Sequence, residues 1–187
     1  FRGTLAHLGR SCPGVDIGLD KRVPHGSGLG GGSSDAAAVL RGMNELLGFP
    51  LPGSALLRLG GTIGSDVPFF VLSCARALAW GRGEEVLALA PLPERCVLVV
   101  VPAEPISTAW AYGALDARRG STSAPAGSAL SDVRPANHEP DGWSAVALLA
   151  RNDFEDALFG LRPDLALIKE ILAGAGAEPA LLSGSGS

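Results

Sequence analysis

The apolar positions of this chain fall into runs whose spacing changes from one segment to the next, and each change marks an element. Residues 15–21, Val-Asp-Ile-Gly-Leu-Asp-Lys, alternate apolar and polar like a half-buried strand. From Ala36 the period lengthens: Ala36, Val39, Leu40, Met43 and Leu47 share one face at helical spacing. Ser33 or Ser34 is placed to cap that helix and Asp35 to favour its dipole. Gly48 is placed to close it, and Pro50 and Pro52 prevent its resumption. Gly60-Gly61 interrupts a helical stretch ahead of Asp66, at about 1 kcal/mol per glycine relative to alanine. Leu78 to Leu89 predicts a strand, a Gly-Arg-Gly turn and a second strand. Cys96 to Val101 is a short run rich in β-branched residues and predicts a buried strand ended by Pro102. Ser107 can cap a helix through Ala117, and further helices are expected over Ala145–Ala150 and Pro163–Ala173, followed by a strand over Glu178–Leu182. Arg118 to Asp141, rich in Ser, Ala, Pro and Gly and without periodicity, predicts a mobile surface loop.

Mixed strands and helices on either side of Pro91-Leu92-Pro93 predict an α+β protein of two units, residues 1–90 and 94–187. The 187 residues are enough for a sizeable core, and the net charge of −4 gives no electrostatic case for nucleic acid or an acidic membrane surface. No apolar run reaches membrane-spanning length and no signal peptide is visible, so the expectation is a cytoplasmic protein with no membrane partner. Cys12, Cys74 and Cys96 are scattered without C-x-x-C spacing, and are expected to be small core hydrophobes in a reducing compartment. Lysine is scarce, with only Lys21 and Lys169.

The chemistry is concentrated between the first strand and the first long helix. Pro24-His25-Gly26-Ser27-Gly28-Leu29-Gly30-Gly31-Gly32-Ser33-Ser34-Asp35 is a glycine-rich loop running straight into a helix start. Glycine permits positive φ and close approach of a ligand, and a helix start offers unpaired N–H donors and partial positive charge. Together these make an anion nest suited to phosphate; the competing reading is a flexible Gly/Ser linker. A Walker A loop would require Gly-Lys-Ser/Thr, which is absent. Gly26, Gly28 and Gly31 satisfy G-x-G-x-x-G, but no second strand ending in an acid follows, which argues against a dinucleotide fold.

The loop resembles motif two of the GHMP kinases. Its triple glycine before Ser-Ser-Asp is similar to one branch of that family. Ile63-Gly64-Ser65-Asp66-Val67-Pro68-Phe69-Phe70, Gly81-Arg82-Gly83-Glu84, Asn152-Asp153-Phe154-Glu155 and Leu182-Ser183-Gly184-Ser185-Gly186-Ser187 resemble further motifs of that branch, in its order. The resemblance implies a ribosomal protein S5 domain 2-like N-terminal domain and a ferredoxin-like C-terminal domain. It implies ATP and Mg²⁺, and phosphorylation of the 2-hydroxyl of 4-diphosphocytidyl-2-C-methyl-D-erythritol in isoprenoid precursor synthesis. The alternatives are another GHMP kinase, of homoserine or mevalonate type, or a non-catalytic nucleotide-binding fragment.

Within that resemblance Pro24 to Asp35 would hold the nucleotide, with Ser33 or Ser34 on phosphate or Mg²⁺. Asp66 matches the general base, against a reading as a helix-end aspartate held by local N–H groups. Thr108, Gly184, Ser185 and Gly186 would face the substrate, although helix capping by Ser107 explains much of the Thr108 segment. Asn152 and Asp153 can equally fix a turn before a helix. The family's Lys-x-Asn-Leu strand and Gly-Tyr-His segment do not occur here, so the expectation is an internal piece of a longer enzyme.

Overall fold

The computed structural model describes residues 1–24, 26–121 and 142–186. The chain divides into two compact units, Phe1–Pro24 with Gly30–Pro91, and His25–Leu29 with Leu92–Ser187. The second unit therefore takes in a short piece of the glycine segment, which a simple cut at Pro91–Pro93 does not foresee.

The first unit contains α1 (Arg2–His7), α2 (Gly31–Leu46), α3 (Gly53–Ile63), α4 (Val67–Leu72), β1 (Ala77–Trp80) and β2 (Glu85–Ala88). Ala37 and Leu40 of α2, Leu51, Leu56 of α3, and Val67 and Val71 of α4 make its core. The hairpin forms as expected: β1 and β2 pair antiparallel from Ala77↔Ala88 to Trp80↔Glu85. Gly81 and Gly83 supply positive φ at its turn.

Helix α2 begins earlier than its serines suggest. Gly30, at φ +67°, is the N-cap and no side chain caps the helix, so Ser33 and Ser34 lie inside its first turns. Asp35 falls beyond the first turn and pairs with Lys21 instead of serving the dipole. A left-handed glycine turns the chain into the helix without a capping hydroxyl, so the serine rule loses here. The buried face runs Ala37, Leu40, Asn44, with Val39 exposed.

The C-terminal end of α2 follows the expectation: Gly48 has φ +74°. Its N–H donates to Glu45 O at 2.9 Å and that of Phe49 to Asn44 O at 2.7 Å, a Schellman motif. The buried Asn44 side chain then exchanges two hydrogen bonds with the Leu51 backbone, at 3.1 and 3.0 Å.

Helix α3 runs unbroken through Gly60-Gly61. The reason is packing: a Cβ at Gly60 would lie 3.1 Å from Val67 Cγ1 and 3.5 Å from Val71 Cγ2. The missing side chain lets α3 lie close on α4, which offsets its helix penalty.

The second unit contains α5 (Thr108–Ser121), α6 (Trp143–Leu149), α7 (Asp153–Leu158) and α8 (Pro163–Gly174). Ser107 Oγ accepts from Trp110 N at 3.4 Å, the expected cap, and Pro163 opens α8. Helix α5 continues past Ala117, so Arg118 to Ser121 are helical rather than loop; the remainder of that expected loop, 122–141, lies outside the described residues. Ile106, Ala111, Leu158 and Leu165 form the core, with Leu182 packed against it.

Three expected strands are not strands. Residues 15–21, 96–101 and 178–182 pair with no neighbour among the described residues, where β1 and β2 make the one sheet. Ile17, Leu19 and all of Val97 to Val101 are exposed. Alternation and β-branching report what a segment can cover, whereas a strand exists through its ladder with another. The cysteines are also not core residues: all are free, Cys12 and Cys74 half-buried and Cys96 exposed. The fold class is α+β with a small sheet, and no described helix is long and apolar enough to cross a membrane.

The two glycines of α3 give a direct test. Gly60→Val should lower the urea midpoint, by about 1–3 kcal/mol of overpacking. Gly61→Ala, whose Cβ would meet Glu84 Cβ at an ordinary 3.5 Å, should be neutral or stabilise by up to about 1 kcal/mol. Equal midpoints for the two variants would remove the packing explanation.

Candidate functional site

Between Leu29 and Gly30 the glycine segment passes from one unit to the other, and its two parts have different surroundings. In the first unit it forms the open start of α2. The first intrahelical bond there is Ser34 N to Gly30 O at 2.9 Å, so the N–H groups of Gly31, Gly32 and Ser33 precede the helical ladder, and no side chain caps them. A Cβ at Gly30 would strike the Phe70 ring at 2.8 Å, so that glycine is needed for α2 to lie on α4. A Cβ at Gly31 would lie 3.1 Å from Lys21 Nζ, while one at Gly32 would meet nothing within 4 Å. The Cβ position of Gly32 thus faces open space.

Lys21 and Asp35 form an ion pair, both partly exposed, which brings an ammonium beside Gly31. Lys21 was not among the expected site residues. The alternation of 15–21 tells which way its side chain alternates but not that a residue fourteen positions later would hold it.

Asp66 stands at the N-cap position of α4, and Pro68 pre-sets the first turn. Its carboxylate does not cap the helix, against the helix-end alternative; Val67 N donates to Gly64 O instead. Ser65 Oγ donates to Asp66 Oδ1 at 3.4 Å. The tip of the β1–β2 hairpin lies beside it, where a Cβ on Gly83 would be 3.5 Å from Asp66 Oδ1. At that tip Arg82 N donates to Glu84 Oε2 at 2.8 Å. Its own backbone N–H lowers the pKa of the Glu84 carboxyl from the ordinary carboxylate value, against an opposing effect of desolvation, and the Arg82 backbone N–H and guanidinium add to the lowering.

In the second unit the glycine segment touches the C-terminal motif. Gly28 has φ +68°, and a Cβ there would lie 3.0 Å from the Ser183 carbonyl carbon and closer still to its oxygen. Ser183 Oγ donates to Gly28 O at 2.8 Å. The 182–184 stretch is held from α7: Asn152 Nδ2 donates to Leu182 O and Gly184 O, each at 2.8 Å, and Leu182 N donates to Glu155 Oε1 at 2.8 Å. Glu155 is buried and also pairs with Lys169. Ser185, buried as well, donates to Thr108 Oγ1 at 3.5 Å. Gly186 packs against Leu182 and Ile106, where a Cβ would lie 2.9 Å from Leu182 Cδ1.

The expected residues are therefore assembled in two groups. Gly30 to Asp35 and Asp66 belong to the first unit, whereas Gly26, Ser27, Gly28, Leu29, Thr108, Gly184, Ser185 and Gly186 belong to the second. Pro24 ends the first unit's extended segment, and His25 lies outside the described residues. Asp153 makes surface ion pairs with Arg119 and Arg151. Asn152 does cap α7, accepting from Phe154 N at 3.0 Å, as the turn reading expects; its grip on 182–184 is the part that sequence reasoning missed. Among the described residues, no three His, Cys, Asp or Glu side chains converge to hold a metal.

Comparison with known proteins gives a consistent result. Residues 1–74 match the family model for the GHMP kinases N terminal domain. The chain is 42% identical, over 97% of its length, to 4-diphosphocytidyl-2-C-methyl-D-erythritol kinase of Geobacter sulfurreducens, and covers 61% of that protein. It is 42% identical over 100% of its length to the kinase of that name from Solidesulfovibrio magneticus, covering 62% of it. A crystal structure of 4-(cytidine 5'-diphospho)-2C-methyl-D-erythritol kinase superposes with a TM-score of 0.61 at 32% identity, over 89% of this chain and 57% of that one. The chain thus spans about three fifths of the length of the curated relatives it matches.

The two kinds of glycine should separate in solution. Gly28→Ala forces a side chain into the Ser183 backbone at positive φ, and should lower the melting temperature by an amount equivalent to about 1–3 kcal/mol. Gly32→Ala should leave it unchanged or slightly raised. Thermal unfolding of both variants checks this, and a stable Gly28→Ala protein would remove the packing role assigned to Gly28.

Proposed function

The chain is a GHMP kinase homologue, and from that premise we propose that the protein carrying it transfers the γ-phosphoryl group of ATP to the 2-hydroxyl of 4-diphosphocytidyl-2-C-methyl-D-erythritol. The observation that carries the reading is local to the first unit. The uncapped start of α2 and the carboxylate that heads α4 lie on two helices packed together through Phe70 under Gly30. One end suits an anion and the other suits a proton.

Phosphoryl transfer asks a protein mainly for positioning and charge neutralisation. In this reading the N–H groups of Gly31 to Ser33 donate to phosphate oxygens, and the α2 dipole favours the negative charge. The open space at Gly32 leaves room for that approach. Lys21, held by Asp35, adds a positive charge beside Gly31. Pro24 to Leu29 complete the loop. Mg²⁺, when bound with the nucleotide, supplies charge neutralisation on the phosphates; Ser33 and Ser34 offer hydroxyl oxygens for it.

Asp66 accepts the proton of the substrate hydroxyl as its oxygen bonds to the γ-phosphorus, and the bond to the bridging oxygen breaks to release ADP. Its carboxylate does not cap α4 and, among the described residues, takes only a long hydrogen bond from Ser65 on Oδ1. Thr108, Gly184, Ser185 and Gly186 contact the cytidyl substrate in the same reading, which also includes an S5 domain 2-like fold for residues 1–90 and a ferredoxin-like fold for 94–187.

A coupled assay of ADP release, offering cytidyl-methylerythritol, mevalonate and homoserine in parallel, tests the proposal. Turnover should appear with the cytidyl substrate alone; preference for either other alcohol, or ATP binding without any turnover, would overturn it. Gly32→Val should weaken ATP binding by at least tenfold in calorimetry. Gly31→Val is the poorer probe, because it also collides with Lys21 and Val23. Asp66→Asn should keep ATP affinity and melting temperature yet lose about 10²–10⁴ in kcat, and an Asn variant with near-normal turnover would remove Asp66 from the mechanism.

A further inference from the structure

We propose that Asn152 is a positioning residue for the nucleotide loop, acting at a distance through Ser183 and Gly28. The inference rests on the kinase reading above. Its chain of contacts lies wholly within the second unit. The Asn152 amide points both ways at once. Its Oδ1 accepts from Phe154 N at 3.0 Å and starts α7. Its Nδ2 donates to Leu182 O and Gly184 O at 2.8 Å each, closing both its donors on the backbone either side of Ser183. Ser183, so bracketed, donates its hydroxyl to Gly28 O at 2.8 Å.

The bracket matters because the contact it maintains is intolerant. Gly28 and Ser183 meet backbone on backbone, with no space for a Cβ on Gly28. A small rotation of residues 182–184 would either push the loop or open a gap beneath it. Glu155 fixes the same stretch from the N–H side of Leu182, and Leu182 itself is tied into the core with Ile106, Ala111, Leu158 and Leu165. Exposed Ser183 has no packing task of its own to explain its hydroxyl bond. What the arrangement defines is the position of the Gly28 carbonyl, in the part of the glycine loop that belongs to the second unit. Asn152 need not touch ATP to control how well the loop receives it.

The cap and the bracket can be separated by substitution. Asn152→Ser keeps a good N-cap oxygen but cannot reach Leu182 O or Gly184 O. Ser183→Ala deletes the relay hydroxyl on an exposed residue. Both variants should melt within a few degrees of the parent. Each should raise the dissociation constant for ATP about tenfold in calorimetry, the equivalent of one or two lost hydrogen bonds. Because the two act in series, the double variant should be no weaker than the weaker single one, a non-additivity that separate structural roles would not produce. Asn152→Asp keeps the cap oxygen but faces a carboxylate to two carbonyls, and should bind ATP more weakly than Asn152→Ser. Folded Asn152→Ser and Ser183→Ala proteins with the parent's ATP affinity, or strictly additive losses, would overturn the positioning role while leaving the kinase reading intact. A parent protein that binds no ATP would overturn the kinase reading and this inference with it.

Discussion

Backbone packed directly on backbone, at Gly28 and Ser183, is the constraint around which the second unit's share of the candidate residues is organised. Side chains adapt to a neighbour by changing rotamer, but two main chains in contact fix each other's position and leave no latitude. Everything that touches this contact serves to maintain it. Asn152 brackets Ser183 through the carbonyls on either side, Glu155 holds Leu182 N, and Leu182 inserts into the core beside Ile106. The motif Asn-Asp-Phe-Glu is thus a holder: its first and last residues grip the C-terminal turn, its Phe154 packs on that core and edge-on to Tyr112, and its Asp153 faces solvent and arginines.

Charge at the helix start obeys a different logic. An exposed or half-exposed ion pair contributes about 0–1 kcal/mol to stability, so the Lys21–Asp35 pair is a poor explanation for why α2 folds where it does. The core at Ala37 and Leu40 and the hydrogen bonds of buried Asn44 are sufficient for that. What the pair does accomplish is orientation. It takes an ammonium from a flexible four-carbon stem and holds it next to Gly31. In the kinase reading, such a fixed charge would serve an incoming phosphate more than the fold, since it would require no reorganisation when the ligand arrived.

How far the sequence could be read depends on what each element is made from. Elements set by local chemistry were legible: the β1–β2 hairpin from its Gly-Arg-Gly turn, the end of α2 from Gly48, the start of α5 from Ser107. Elements set by a distant neighbour were not. Val97 to Val101 have every local property of a strand and no ladder among the described residues. Gly60-Gly61 has the local property of a breaker, yet α3 continues because Val67 and Val71 need the space. The site divides along the same line. The glycine loop stands out through residue type and spacing, whereas Asp66 is singled out only by the resemblance of Ile63 to Phe70 to a GHMP kinase motif. Lys21 opposite Asp35, and Asn152 opposite Gly184, depend on pairings fourteen and thirty-two residues apart that no periodicity encodes.

The glycine run shows why spacing alone undersells such a loop. Its members look interchangeable in the sequence, but their surroundings differ by position. Gly28 is glycine because a main chain lies against it. Gly30 is glycine because its left-handed φ starts a helix without a capping hydroxyl and because the Phe70 ring occupies the place of its Cβ. Gly31 gives way to Lys21 and Val23. Gly32, unlike these three, has open space where a side chain would stand, as does Gly42 further along the same helix. Gly28 and Gly30 are explained by the protein's own packing, and each would be required even if no ligand ever bound. Gly32 is not explained that way: alanine there would cost nothing in contacts and would favour the helix. In the kinase reading, that open position at the start of a helix dipole is where a phosphate would approach.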